Sequence, residues 1–284
     1  MNKIRTSLLV AAAAATLAIP TLASAARMWM LPSETMFAGN GDEWATVDFA
    51  ISSDLFYFDH PAQPFEPVLF APDGTQAEVE NKAKGRLRTT FDVHLTQKGT
   101  YKVAVLTNAV FGSYVLNGEE KRLPRGVTAE TLAQAIPAGA TDVKTSEMNG
   151  RVETFLTAGV PTDTVFKPTG KGLEMVPITH PNDLVSGEAA TFQFLLDGKP
   201  VANLPVAVIA GGVRYSGALK EISAKTGADG KVTFTLPDSG MYWLNVTTAP
   251  PRPAPAAEGA PKGPPPPRPA RIDNYVATLE VLGA

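Results

Sequence analysis

Ala189-Ala190-Thr191-Phe192-Gln193-Phe194-Leu195, opened by Ser186-Gly187 and closed by Asp197-Gly198, is an alternating apolar run that ends in a tight-turn pair. Val206-Ala207-Val208-Ile209 follows, then a glycine-rich loop and a second turn signal at Ala228-Asp229-Gly230. Lys231-Val232-Thr233-Phe234-Thr235-Leu236 and Met241-Tyr242-Trp243-Leu244-Asn245-Val246 flank Pro237-Asp238-Ser239-Gly240. Short alternating runs joined by Asp-Gly turns are the signature of an antiparallel β-sandwich. Asp238-Ser239-Gly240-Met241-Tyr242 reads as a tyrosine corner, in which the phenol bonds back to nearby backbone in immunoglobulin-like domains.

An internal repeat extends this reading to the first half. Residues 91–105 align with residues 232–246 at a constant offset of 141. Phe91, Val93 and Leu95 fall on Val232, Phe234 and Leu236, and Gly99 and Tyr101 fall on Gly240 and Tyr242. Apolar residues take every second place on both sides of the shared Gly-x-Tyr, so one strand-corner-strand unit occurs twice. Gln97 stands where the second copy has Asp238. The expected fold is all-β: two tandem immunoglobulin-like antiparallel β-sandwiches with one short helix in the connecting region.

The remaining sequence fits around these units. Asn117-Gly118 predicts a type I′ hairpin between 113–116 and 119–122. Residues 128–135 read as the helix, with Thr128 capping its start and Pro137 stopping it. The first sandwich spans 26–171 and the second 172–284. Residues 249–270 hold ten prolines, which cannot pair into a sheet, and read as an insertion. Tyr275, Ala277, Leu279 and Val281 share one face of a final strand.

Composition narrows the function. Of 284 residues, 44% are hydrophobic and 19% charged, with 25 prolines and 24 glycines, a balance of many turns and short strands. There is no cysteine, hence no disulfide, thiolate site or Cys nucleophile. Lys3 and Arg5, an apolar alanine-rich run over 8–22, and Ala23-Ser24-Ala25 predict a cleaved export signal over 1–25. No other segment is long and apolar enough to span a bilayer. Removing two basic residues makes the chain more acidic than its whole-chain net of −3, which disfavours nucleic acid as a partner.

Reactive residues are sparse. No Gly-x-Ser-x-Gly elbow occurs, and Ala210-Gly211-Gly212-Val213 lacks the Lys-Ser/Thr of a phosphate loop. His94 lies on the strand face opposite Phe91, Val93 and Leu95, which points it to solvent. His60 beside Asp59, and His180 beside Asn182 and Asp183, are the candidate metal ligands: His60, His180 and Asp183. Neither group has the local spacing of a preformed site, so such a site would need both sandwiches. The aromatic stretch Phe56, Tyr57, Phe58 and Phe65 lines a ligand surface or packs on its own domain.

The set Trp29-Met30-Leu31-Pro32-Ser33, Gly150-Arg151-Val152-Glu153-Thr154-Phe155, the run 173–184, Asp197-Gly198-Lys199-Pro200-Val201 and the ending from Ala228 to Tyr242 resembles a family of exported bacterial proteins of unknown function. That family is described as similar to the periplasmic, substrate-associated part of nickel and cobalt uptake systems. The second half alone is also similar to carboxypeptidase-regulatory and transthyretin-like sandwiches. The resemblance implies a non-catalytic periplasmic accessory or binding protein. Its expected partners are nickel or cobalt, or their chelates, and an envelope transporter or receptor. The alternative is a structural module of the envelope that holds a protein or polysaccharide.

Overall fold

The computed structural model of the chain describes residues 26–216, 219–250 and 269–284. The predicted export signal over 1–25 and most of the proline-rich insertion lie outside the described residues.

The first half lays down β1 (Arg27–Pro32), β2 (Met36–Phe37), β3 (Glu43–Ser52), β4 (Pro67–Phe70) and β5 (Gln76–Ala77). It continues with β6 (Glu80–Lys84), β7 (Thr89–Leu95), β8 (Gly99–Leu116), β9 (Glu119–Arg122), helix α1 (Leu132–Ala135) and β10 (Thr141–Ala158). The second half supplies β11 (Leu173–Pro177), β12 (Ala189–Leu196), β13 (Lys199–Pro200), β14 (Pro205–Ala210) and helix α2 (Val213–Ser216). It ends with β15 (Glu221–Lys225), β16 (Lys231–Thr235), β17 (Gly240–Thr247) and β18 (Arg271–Val281).

The protein is all-β, two immunoglobulin-like sandwiches that share their middle layer. One covering sheet has the order β1-β3-β7-β6; the other has β11 on one side of β12, with β13 and β16 on its other. Between them runs one sheet, β15-β14-β17-β18-β10-β8-β4-β5. Period-two alternation sends successive side chains of this sheet into opposite cores. Tyr275, Ala277, Leu279 and Val281 of β18 enter the second core, while Val276 enters the first. Trp243 of β17 enters the first core between Tyr242 and Leu244, which enter the second. In β10, Phe155 enters the second core and Val152 and Leu156 the first. A strand buried on both faces reads as a near-continuous apolar run, as these do.

The seam between the halves is β10 against β18, a parallel pair running from Glu147 opposite Arg271 to Thr154 opposite Thr278. β2 also pairs in parallel with the end of β10, and the other neighbours along the central sheet are antiparallel. A rotation about an axis along the strands keeps strand direction and exchanges the faces, which relates the two units. Val105 pairs with Val152 and Gly99 with Ala158; in the second unit Val246 pairs with Tyr275 and Gly240 with Val281. The duplication seen in the sequence is thus a duplication of pairing register.

Both corners close. Tyr101 Oη donates to Gln97 O at 3.2 Å and accepts from Gln97 N at 2.6 Å. Tyr242 Oη donates to Asp238 O at 2.8 Å and accepts from Asp238 N at 3.3 Å. Only backbone of residues 97 and 238 is used, so the Gln-for-Asp difference leaves the corner intact. Each corner carries the chain from a covering sheet into the central one, from β7 to β8 and from β16 to β17.

Local turn chemistry follows the sequence. Asn117 and Gly118 have φ of 54° and 80°, and Asp197 and Gly198 have 50° and 77°, the left-handed pairs of type I′ turns. The outer halves of β8 and β10 with β9 enclose a satellite core of Val110, Tyr114, Leu123 and Val127. The helix expected over 128–135 is shorter, Leu132–Ala135. Thr128 does not cap it: its amide donates to Thr131 Oγ1 at 2.9 Å, and a turn occupies the preceding residues. A second helix, α2, forms in the loop read as merely glycine-rich.

The two corner glycines make a controlled comparison. A Cβ on Gly99 (φ 121°) would lie 2.7 Å from Pro72 Cβ and Thr162 Oγ1, whereas one on Gly240 (φ 137°) would meet nothing within 4 Å. Gly99→Ala is expected to cost about 2–4 kcal/mol and Gly240→Ala about 1 kcal/mol, read from urea unfolding midpoints.

Candidate functional site

The open second corner borders a shallow cleft. It has about 310 Å³ and is lined by Leu31, Phe56, Gly211, Val213 and Met241, with Lys220, Asp238 and Ser239 at its rim. Leu31 of β1 and Lys220 line it beside three further segments. Residues 238–241 enter from the corner, Gly211 to α2 from the end of β14, and Phe56 from the loop after β3. In the first unit the equivalent corner is filled by Pro72 and Thr162.

Phe56 holds a left-handed backbone, φ 61°, which a bulky residue adopts only when its surroundings enforce it. Its ring meets Trp29 edge-on at 5.4 Å. Gly211 permits this approach, since a Cβ there would sit 3.0 Å from the Phe56 ring and from Met241 O. Gly211 N donates to Met241 O at 2.7 Å, fixing the cleft floor. The neighbouring Tyr57 hydroxyl bonds to that of Tyr215 on α2, and the Arg214 guanidinium lies 4.5 Å over the Tyr57 ring. This clamp ties the first unit's loop to the second unit. The other aromatics of the loop pack at home: Phe58 on Trp29 at 5.5 Å and Phe65 on Phe49 at 3.9 Å.

The lining contains no histidine, glutamate or cysteine. Its two charges face each other, Lys220 Nζ 3.5 Å from Asp238 Oδ2, both largely exposed. The Tyr242 phenol is held above its ordinary pKa by burial and spends its bonds on the corner. The cleft therefore offers an apolar floor, a small dipolar rim and no acid–base pair positioned for proton transfer.

A group of buried charges lies elsewhere, at the seam. Tyr275 Oη donates to Glu153 Oε2 at 2.7 Å, and Arg151 Nη1 approaches Glu153 Oε1 at 3.2 Å. Arg151 also reaches Glu174 at 3.7 Å, and Lys102 lies 4.0 Å from Glu153. Glu174 further accepts the Thr169 amide (2.9 Å) and hydroxyl (2.7 Å) and the Gly170 amide (2.8 Å). Burial, then the adjacent Glu153 charge, hold the Tyr275 phenol well above its ordinary pKa. Two carboxylates balance two cations and every acceptor is engaged, so these groups brace β8, β10, β11 and β18 together. A second groove, about 300 Å³, lies beyond them, where Arg271 pairs with Asp197 at 2.8 Å and Asp273 at 2.8 Å. The proline-rich insertion rejoins the sheet there, with Ser146 Oγ donating to Pro269 O at 2.7 Å.

The candidate ligands have separate environments. His60 is partly buried and its Nδ1 lies 2.6 Å from Asp59 Oδ1. His180 is half-buried: Nδ1 accepts the Asn182 amide at 3.1 Å, so Nε2 carries the proton, 3.0 Å from Thr100 Oγ1. The Asp183 amide donates to His180 O at 3.0 Å, so these two share a turn. No hydrogen bond or ion pair joins His60 to either among the described residues, and among them no three His, Asp or Glu side chains gather as a metal site. His94 takes the outer face as expected, stacked on Trp44 at 4.0 Å and bonded to Asp42 at 2.9 Å. Sequence reasoning missed the cleft, although Gly211-Gly212 and the aromatic loop carried its signal.

Fold and cleft together define a class: an all-β double sandwich with a shallow groove at the junction of its units. The chain belongs to the family described as domain of unknown function DUF4198, whose model matches residues 23–249. No curated protein matches the sequence. Among solved structures it is similar to the D0-D1 domain of intimin, at 14% identity and TM-score 0.23, over 89% of this chain and 97% of that one. It is similar to the Yersinia pseudotuberculosis adhesin InvE at 13% identity and TM-score 0.22, over 90% of this chain and 59% of that one. A DUF4785 family protein from Legionella pneumophila matches at 11% identity and TM-score 0.22, over 76% and 50%. At such TM-scores the likeness carries no argument.

His180 gives a pH prediction. Burial is the leading cause that lowers its pKa from the ordinary 6.5, against the weaker pull of Asp163 and Asp183. A depressed histidine pKa means that the unfolded chain takes the proton first. The stability it contributes is complete above about pH 6.5 and is lost as pH falls towards the lower folded-state value. The advantage in melting temperature of the wild type over His180→Gln should shrink between about pH 7.5 and pH 5.

Proposed function

We propose that this chain is a non-catalytic binding or accessory protein of the periplasm, serving uptake of a transition metal carried as a chelate. The observation that carries the reading is the cleft beside Gly240, open where its counterpart in the first unit is filled. Its floor of Leu31, Phe56, Val213 and Met241 suits the organic body of a small ligand, and Lys220 and Asp238 suit a polar periphery. A chelate is favoured over a bare ion because His180 spends both ring nitrogens inside the protein and His60 stands apart with Asp59. Nickel or cobalt would then enter as cargo with its own ligands. The absence of an acid–base or nucleophile arrangement in the cleft supports binding over catalysis.

Calorimetric titration with free nickel, free cobalt and the nickel–histidine chelate tests this. Binding of the chelate at about micromolar affinity, weakened at least about tenfold by Ser239→Trp on the exposed rim, is expected. Equal binding by His60→Ala would accompany it. Tight binding of the free ion that is lost in His60→Ala would replace the cleft by a histidine site. No binding of ion or chelate would move the reading to a structural module of the envelope.

A further inference from the structure

The central sheet ends at β15, which hydrogen-bonds to β14 and to no other strand among the described residues. The other sheet edges suit self-pairing less: β1 and β11 end in proline, and β16 carries Lys231 with no acidic residue to meet it about a two-fold axis. β5 has two residues, and β6 carries a register irregularity between Glu80 and Ala83. Short edges and bulges are the usual protection against unwanted strand addition. β15 has no bulge: it is free of proline and in unbroken register with β14 from Pro205 opposite Lys225 to Ile209 opposite Glu221, and its five residues exceed the two of β5.

Its two alternations are in phase. Glu221, Ser223 and Lys225 are exposed, while Ile222 and Ala224 are half-buried against the second core. Thr226 turns both backbone groups towards the β14 side, its amide donating to Leu204 O at 3.1 Å and its carbonyl accepting from Asn203 N at 2.8 Å. Stepping by two, the amides and carbonyls of residues 224 and 222 also face β14, and those of Lys225, Ser223 and Glu221 face outward. Pro205, opposite Lys225, has no N–H to donate, which agrees.

We propose that β15 pairs antiparallel with β15 of a second copy of this chain, about a two-fold axis through Ser223. In that register Ser223 faces its counterpart and exchanges both backbone bonds with it. Glu221 faces Lys225 of the second copy, Lys225 faces its Glu221, and Ile222 faces Ala224. Residues directly opposite lie on one face of a sheet, so the charges meet outside and the apolar pairs extend the core layer. A parallel pairing would set Glu221 against Glu221 and Lys225 against Lys225. The contact is isologous, so assembly closes at two copies and joins two central sheets into one. The strand edge is short, and the dimer is weak, with a dissociation constant on the order of 100 μM.

Sedimentation velocity on the purified protein, from about 5 to 500 μM, tests the pairing, with circular dichroism confirming the fold of each variant. The wild type is expected to shift from monomer to dimer across this range. E221K and K225E each place two like-charged pairs across the seam and should weaken the dimer at least about tenfold. The combined variant E221K/K225E restores opposite charges and should recover the wild-type constant within about threefold. A wild type that stays monomeric throughout overturns the proposal. So does a dimer indifferent to E221K, or a double variant that fails to recover.

Discussion

The parallel pairing of β10 with β18 is the constraint on which the rest depends. Because it is parallel, the two units face opposite ways, and one sheet must serve both cores. The strands at the seam are therefore covered on both faces, and no inner layer remains to slide. The groups that would be orphaned at such a junction are gathered into the Lys102–Arg151–Glu153–Glu174–Tyr275 network, where burial strengthens each bond and raises the cost of losing any partner. Rigidity is thus concentrated at the centre, and variation is left to the connections.

The cleft is a product of that arrangement. The corner at Gly240 is one of two equivalent positions, and its partner at Gly99 is occupied by Pro72 and Thr162. What opens one and closes the other is the chain's own decoration: the loop carrying Phe56, and α2 held to it through Tyr57 and Tyr215. The strained backbone of Phe56 is maintained by Trp29 and Gly211, one from each unit. A cleft made in this way is shaped by both halves.

The fold was legible where local chemistry determines it. The type I′ pairs at 117–118 and 197–198, the alternation in β7 and β16, and the two Gly-x-Tyr corners all follow from spacing alone. The shared sheet was not. In β18 the alternating set Tyr275, Ala277, Leu279 and Val281 drew attention to one face, while the continuous run from Tyr275 to Ala277 signalled burial on both. Choosing β10 as the neighbour of β18 is a pairing across more than a hundred residues, which no local pattern encodes. The cleft was signalled only by Gly211-Gly212 and the aromatic loop for the same reason: its walls come from residues 31, 56, 211–216 and 238–241. Thr128 was read as a cap because it precedes an apolar run, but Thr131 takes its amide and the helix begins later.

The late position of β18 along the chain bears on how the protein reaches its folded state. A nascent polypeptide is delivered from its amino terminus, and the strand that knits both halves arrives after everything it must join. Until then the second core lacks Tyr275, Ala277, Leu279 and Val281, and the seam edge of β10 is unpaired. The second core is therefore completed only by a strand that pairs with both halves, β17 on one side and β10 on the other.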